Sequence, residues 1–317
     1  MNKKDELLKI FSLKLRTLLG KVNFDYDKLQ EIRLRVNGPL LVIYDNREYF
    51  INSESMLVSV DEDLYYINKN EIRETMEYIS NYSLYAFEEE LKQGFITIIG
   101  GHRIGITGKA VLEDNKIKSI KHISFINIRL SHQMKGCGDK VIPYIVDSKS
   151  NDIFHTLIIS PPRCGKTTLL RDVIRQLSDG DKDRPGMTVS VVDERSEIAA
   201  CYMGVPQNDL GIRTDVLDCC PKAKGMLMLI RSMSPRIIAV DEVGSHEDIE
   251  AIEYVMNCGC KLIATVHGNS IEDIKSKPIL GRLVEEKLFE RYILLSNNNG
   301  VGHLEEIYDL RGNSILK

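Results

Sequence analysis

Residues 154–171 read F-H-T-L-I-I-S-P-P-R-C-G-K-T-T-L-L-R, and they constrain the chain more than any other stretch. An apolar run, Leu157 to Ile159, leads into a Pro-rich turn, then Gly165-Lys166-Thr167-Thr168, then a leucine-rich segment. That order predicts a strand, a phosphate-binding loop and a helix. A triphosphate needs several backbone N–H groups converging on it, a cation near its β- and γ-phosphates, and a hydroxyl for Mg²⁺. Gly165 lets the backbone approach closely. Lys166 supplies the charge and Thr167 the hydroxyl. The candidate loop runs through Ser160, Pro161, Pro162, Arg163, Cys164, Gly165, Lys166, Thr167 and Thr168. The motif in its common form is G-x-x-x-x-G-K-[ST]; here Ser160 stands in place of the first glycine.

At 317 residues the chain has room for about two domains. A hydrophobic share of 43% supports a sizeable core. The net charge of −4 argues against nucleic acid as the main partner, since dedicated binders are usually basic. No apolar run approaches the ~18 residues that span a bilayer. Lys9, Lys14 and Arg16 interrupt the N-terminal apolar pattern, so no secretory signal is read there and a cytosolic place is expected. The seven cysteines include no C-x-x-C pair, which favours free thiols over a four-ligand zinc site. Cys164 differs only in sitting inside the candidate loop.

Leucines in residues 5–19 predict an amphipathic helix, packed on the N-terminal domain or, alternatively, docking to a partner or membrane surface. E-I-R-L-R-V at 31–36 alternates apolar residues with arginines, Asn37-Gly38-Pro39 punctuates, and two further strands follow. Ile72, Met76 and Ile79 predict one helix, and Leu84, Phe87 and Leu91 a second, with Ser83 as a possible cap. Strand character returns over 94–112, with Gly100-Gly101 as a turn, and again over 117–130. Residues 1–135 therefore read as a smaller α+β domain with a mostly antiparallel sheet, 136–153 as a junction, and 154–317 as an α/β domain. Apolar strands at 156–160, 188–193, 237–241 and 261–266 alternate with helical patterns there, the pattern of a parallel sheet covered by helices. Of the N-terminal strand arginines, Arg103 and Arg129 are candidates to reach a triphosphate held by the other domain, because a guanidinium suits phosphate geometry. Otherwise they are paired or solvent-facing charges.

Three further strand ends carry chemistry. S-P-R-I-I-A-V-D-E-V at 234–243 ends in Asp241 and Glu242. In a phosphate-loop fold the strand with such an acid lies beside the loop, where Asp241 would hold Mg²⁺ and Glu242 would polarise the attacking water. T-V-S-V-V-D-E-R-S-E at 188–197 brings Asp193 and Glu194 to the same edge of the sheet. The alternative is a helix start capped by Ser196, with the acids near its dipole. K-L-I-A-T-V-H-G at 261–268 ends in Thr265 and His267, a candidate γ-phosphate sensor. Residues 204–218 read as a polar loop between strands, in which Arg213 could act on a neighbouring subunit's phosphate or bind Asp215 or Asp218; Arg231 carries the same ambiguity.

In this order, the phosphate loop, acidic box, Asp/Glu strand and histidine box resemble the secretion and retraction ATPases of type II, type IV pilus and type IV systems. S-P-P-R-C-G-K-T-T-L-L-R-D (160–172), V-V-D-E-R-S-E-I-A-A (191–200) and G-V-P-Q-N-D-L-G-I-R-T-D-V-L-D (204–218) are similar, more closely still, to the stage III sporulation AA family of endospore-forming bacteria. E-I-R-L-R-V-N-G-P, G-I-T-G-K-A-V, I-N-I-R-L-S-H-Q, A-T-V-H-G and F-E-R-Y extend the likeness over nearly the whole chain. The resemblance implies a RecA-like P-loop ATPase core behind the N-terminal domain, using ATP and Mg²⁺. It implies a homohexameric ring on the mother-cell side of the forespore, cytoplasmic and peripheral to the membrane, with membrane proteins of the sporulation channel as partners. By the same resemblance Lys166 and Thr167 bind phosphates and Mg²⁺, Asp193 and Glu194 form the acidic box, Asp241 and Glu242 the metal strand, and His267 the histidine box. Arg163 departs from the pattern, because a small residue is common at its place; its bulk or charge would alter loop closure or meet the nucleotide. Three functions follow for comparison: a secretion-type ATPase motor, an ATP-binding assembly switch with little hydrolysis, and a RecA-like nucleic-acid motor, the last opposed by the acidic balance.

Overall fold

In L-Q-E-I-R-L-R the residues Ile32 and Leu34 alternate with Arg33 and Arg35, and a strand sends such residues to opposite faces. In the computed structural model this segment is β1 (Leu29–Arg35), with Ile32 and Leu34 buried and both arginines partly exposed. The structure describes residues 3–59, 63–81, 87, 90, 94–147, 149–150, 152–298 and 302–316. The chain divides into two units, Met1–His132 and Gln133–Lys317.

The first unit adds β2 (Leu41–Tyr44), β3 (Arg47–Ile51), β4 (Leu57–Val58), β5 (Phe95–Thr97), β6 (Arg103–Glu113) and β7 (Lys116–Arg129). They form one sheet in the order β4-β3-β2-β1-β7-β6-β5, every pair antiparallel. Gly100 and Gly101, at φ 83° and 74°, turn the chain between β5 and β6 where a side chain would be strained. One sheet face buries Ile32, Leu34, Ile104, Ile106, Ile126 and Ile128. The helix Lys69–Ile79 begins at a capping box of Asn68 and Glu71 and buries the expected stripe of Ile72, Met76 and Ile79. The second stripe is described only at Phe87; Ser83, Leu84 and Leu91 lie outside the described residues. Near the N-terminus the single helix expected over 5–19 is instead two, Lys3–Leu8 and Leu13–Lys21, because Ser12 caps the second; Leu7, Phe11, Leu15 and Leu19 are buried, so the apolar side of that segment is used within the protein. On the other sheet face Arg33 and Arg129 flank Glu31, at 2.7 and 3.8 Å, and the Arg103 guanidinium stacks 3.6 Å above the Phe95 ring.

The second unit opens with a short hairpin of β8 (Val146–Asp147) and β9 (Asp152–Ile153). Its main strands are β10 (Thr156–Ser160), β11 (Val189–Asp193), β12 (Thr214–Asp218), β13 (Ile237–Val240), β14 (Lys261–His267), β15 (Arg291–Ser296) and β16 (His303–Asp309). They lie in the order β12-β11-β13-β14-β10-β15-β16, parallel except for β16. The four expected strands are present. The region 204–218 is more than the polar loop it reads as, because Thr214–Asp218 pairs with β11 as an edge strand. β15 and β16 complete the other side of the sheet. Ile158, Val191, Ala239 and Ile263 pack on one face with the helix Lys166–Asp179. Ile159, Val192, Val240 and Ala264 pack on the other with the helices Lys222–Met233 and His246–Asn257. Burial on both faces explains why these strands are continuous apolar runs. All seven cysteines are free.

The phosphate-loop helix, Lys166–Asp179, turns Leu169, Leu170, Val173, Ile174 and Leu177 onto the sheet, the stripe expected of a 3.6-residue period. Gly180 ends it at φ 72° and ψ −171°, a conformation essentially confined to glycine. A Cβ there would lie 2.4 Å from the Gly186 nitrogen and 2.5 Å from the Arg184 oxygen, both backbone atoms. The Gly180→Ala variant should therefore lose about 2–3 kcal/mol. Urea denaturation would show this as a lower midpoint at unchanged m value; an unaltered midpoint would contradict the close packing.

Candidate functional site

β10 delivers the chain to the carboxyl edge of the parallel sheet, where ligands bind in open α/β folds. Ser160 is buried, and its hydroxyl donates to the Pro161 carbonyl at 2.7 Å. Arg163 and Gly165 both take left-handed conformations, at φ 61° and 77°. Backbone that alternates in this way turns successive N–H groups into one concavity. The conformation is free for glycine and costs roughly 1–2 kcal/mol for Arg163. This backbone demand accounts for small residues at that place, whereas the Arg163 side chain is exposed. Cys164 is buried, its Sγ 3.7 Å from the Pro162 carbonyl oxygen. Gly165 caps a helix of 14 residues, whose N-terminal N–H groups and dipole favour an anion.

The ends of β10, β13 and β14 meet over this loop. β14 lies between β10 and β13, so the acidic strand is one position removed from the phosphate-loop strand and reaches the loop across Thr265. Thr265 donates its hydroxyl to Asp241 and accepts the Glu242 N–H at 2.9 Å. Asp241 Oδ2 also accepts the Thr167 hydroxyl at 2.6 Å. Lys166 exposes only 5% of its side chain; its Nζ lies 3.2 Å from Glu242 Oε1, 3.9 Å from Asp241 Oδ1 and 3.3 Å from His267 Nε2. His267 Nε2 and Glu242 Oε1 are 2.8 Å apart. Burial opposes ionisation of Glu242, yet the Lys166, His267 and Arg195 charges together hold its carboxyl below the usual range. Glu242 itself has φ 55°, a strained backbone fixed by the neighbouring Val243 N–H bond to the Thr265 carbonyl at 2.9 Å.

At the second acidic element the alternative reading, a helix start, is absent. No helix starts at Ser196; that residue has φ 52°, and its hydroxyl accepts the Cys201 N–H at 3.1 Å. Asp193 is 2% exposed and accepts the backbone N–H groups of Glu197, Ile198 and Ala199 at 2.8, 3.0 and 2.8 Å. Burial pushes its carboxyl up to about 6, against the pull of those N–H groups. Arg171, buried on the phosphate-loop helix, donates to the carbonyls of Ile198 and Glu197, each at 2.8 Å. Glu194 pairs with Lys222. Directly after the two acids stands Arg195, a residue missed in the sequence, whose Nη1 donates to Glu242 Oε2 at 2.6 Å. Arg213 binds neither Asp215 nor Asp218; it donates to the carbonyls of Ser178 and Asp179 at 2.9 and 3.3 Å, at the end of the phosphate-loop helix. Arg231 is exposed on the helix Lys222–Met233, while Arg103 and Arg129 belong to the first unit.

Next to the loop lies a cavity of about 770 Å³, bounded by Gly165, Thr168 and Leu169 on one side and by Met134, Cys137, Lys140, Tyr144 and Leu304 on the others. Its volume is that of a small-molecule site. Nothing in the pattern of 134–144 marks these residues; they gather because Asp172 accepts the N–H groups of Gly136 and Gly138 at 2.9 and 2.8 Å and folds the segment onto the helix. Among the described residues, no group of three or more His, Cys, Asp or Glu side chains is placed to hold a metal ion alone. The Thr167 hydroxyl and Asp241 carboxylate are hard oxygen donors, which suit Mg²⁺ when phosphate oxygens and water complete its octahedron.

Comparison with known proteins fits this geometry. The profile of the family described as "Sporulation stage III, protein AA" matches residues 1–315. The stage III sporulation protein AA of Bacillus subtilis (strain 168) is 41% identical over 290 residues, covering 92% of this chain and 90% of that protein. Among solved structures, the pilus retraction motor PilT with bound ADP superposes with a TM-score of 0.56 at 13% identity, over 89% of this chain and 77% of that one. The ATPase DotB of Legionella pneumophila gives 0.53 at 16% identity, over 85% and 73%. The fold is therefore that of the RecA-like secretion ATPases, the smaller α+β unit preceding the α/β unit in the chain.

Asp193 supplies a pH test of its place in the fold. Its folded value of about 6 lies above the ~3.9 of a free aspartate, so the folded chain holds the proton more tightly. The resulting stability is complete below about pH 4 and is lost as pH rises through 6. Relative to the non-titrating Asp193→Asn variant, wild-type stability should fall by about 2 kcal/mol between pH 4 and pH 7. Urea denaturation across that range would read it, and a flat difference would show that burial does not shift the carboxyl.

Proposed function

The chain belongs to the sporulation stage III protein AA family, and from that premise we propose that it is a Mg²⁺-dependent ATPase of the secretion-motor type, powering or assembling the channel between mother cell and forespore. The observation that carries this reading is the convergence of Lys166, Thr167, Asp241, Glu242 and His267 on the N-terminus of one helix. Only a polyanion with a metal uses that full set: N–H groups and a lysine for phosphate oxygens, a hydroxyl and a carboxylate for the metal, and a second carboxylate to spare. PilT, which shares the fold, holds ADP in its crystal structure.

In this reading the triphosphate takes Lys166 from Glu242 as its counter-ion. Glu242 then accepts a proton from the attacking water. Thr167 and Asp241 would hold Mg²⁺, which would supply neutralisation of phosphate charge. His267, hydrogen-bonded to Glu242, follows the state of the γ-phosphate. Asp193 and Glu194 support the loop beside Glu242 rather than touching substrate. The base and ribose occupy the cavity beside Thr168 and Leu169. Residues 154–317 form the motor core, and a homohexameric ring is the working assembly, in which Arg103 and Arg129 are candidates to contact triphosphate from the N-terminal domain. No helix among the described residues is long and apolar enough to cross a membrane, consistent with attachment through the channel's membrane proteins. A second reading, a nucleotide-gated assembly switch with little hydrolysis, is favoured by the strained Arg163 at φ 61° in the loop.

ATP turnover and nucleotide affinity should be measured for wild type, Lys166→Ala and Glu242→Gln. Lys166→Ala should lose both. Glu242→Gln should keep its affinity and lose turnover by roughly 10²–10⁴-fold, the usual worth of a general base. Turnover indifferent to both substitutions would sink the ATPase reading; tight binding with negligible wild-type turnover would favour the switch.

A further inference from the structure

Glu242 is held by two cations and the His267 imidazole, and these three groups divide its two oxygens unequally. Lys166 and His267 share Oε1, at 3.2 and 2.8 Å, whereas Arg195 alone donates to Oε2, at 2.6 Å. In the ATPase reading, on which this inference rests, Lys166 is claimed by the phosphates. The claim leaves Oε1 with His267 and leaves the Arg195 contact untouched. Arg195 stands on a loop that is itself fixed: three N–H groups run into Asp193, and two carbonyls are held by Arg171. Glu242 cannot adjust freely on its side either, since its backbone is pinned through Thr265 at φ 55°.

Stability does not explain the pair. Arg195 is 63% exposed, and ion pairs at such positions contribute about 0–1 kcal/mol. Its geometric consequence is larger, because a carboxylate tethered by one oxygen presents the other in a fixed direction. A planar guanidinium holds that direction better than a flexible ammonium does. We infer that Arg195 is a positioning residue for Glu242: it keeps the carboxylate turned toward the phosphate loop after Lys166 has moved to the phosphates.

Steady-state kinetics of the full chain with Mg²⁺ and ATP test this. Arg195→Ala should lower kcat by about 100-fold, the scale of a misplaced reacting group, with KM within about twofold of wild type. Arg195→Lys should recover about tenfold of the loss, and in a Glu242→Gln background Arg195→Ala should add nothing. Unchanged kcat, raised kcat, or a rise in KM equal to the loss of kcat would each overturn the assignment. A crystal structure with Mg²⁺ and a non-hydrolysable ATP analogue gives a readout independent of turnover. Arg195 should remain on Glu242 Oε2 while Lys166 lies on the analogue, and separation of Arg195 from Glu242 there would overturn the inference. Failure of the analogue to bind, with Lys166→Ala matching wild type, would instead identify failure of the ATPase reading.

Discussion

A nearly buried ammonium group sets the terms for the second unit. Withdrawing Lys166 from water costs several kcal/mol unless negative charge is placed against it with good geometry. Glu242 and Asp241 supply that charge, and neither could do so from a neighbouring strand alone. β14 must separate β10 from β13, and its register must level Ser160 with His267 and Val240 with Ala264. Thr265 then fills the gap between the loop and the acids with a hydroxyl that both donates and accepts. The dry apolar packing on both faces of these strands is what keeps their ends aligned. Fold and site are thus one constraint: the continuous apolar runs that make the strands are also what brings a lysine, two acids and a histidine to one edge.

That coupling explains which parts were legible in the sequence. Asp241, Glu242 and His267 stand at the ends of buried strands, and Lys166 and Thr167 follow the loop after another, so strand pattern and loop motif together located them at one edge. Asp193 follows a strand in the same way, but the direction of its side chain is decided by residues 194–199, where the chain curls back and offers three N–H groups. No period encodes such a curl. Arg195 was hidden for the same reason, although it lies within a quoted motif. The cavity wall at 134–144 was invisible because its placement depends on one carboxylate 28 or more residues downstream. In the N-terminal unit, by contrast, alternation revealed the central strands directly, whereas the edges, the break in the N-terminal helix and the partners of the arginines required coordinates.

Arg163 shows how a departure from a motif can be read at the wrong level. From sequence, its size and charge looked like the anomaly within the phosphate loop. In the structure the side chain is exposed, and the constraint lies in the backbone at φ 61°. A left-handed non-glycine residue persists only where its surroundings over-determine it. Here the buried Cys164 and the helix cap at Gly165 follow it directly and fix where the chain must go. The loop is therefore shaped before any anion arrives, and the strain is a cost of that preorganisation.

The same helix that caps the anion site also fixes both of its flanks. Arg171 and Asp172 are consecutive and buried, and they hold different segments. Arg171 grips the carbonyls of the loop that carries Arg195, while Asp172 grips the N–H groups of Gly136 and Gly138 at the cavity wall. At Gly138 a Cβ would lie 3.2 Å from Asp172 Oδ2 and 3.1 Å from Gln176 Nε2, so the close approach depends on the missing side chain. Burial opposes ionisation of Asp172, but the Gly138 N–H and the Arg175 and Gln176 side chains hold its carboxyl below the usual range. A charged group so placed is a rigid joint, because neither partner can leave without stranding a buried charge. Phosphate loop, acidic loop and cavity wall consequently share one support, and the distances between them are set by a single helix rather than by three independent loops.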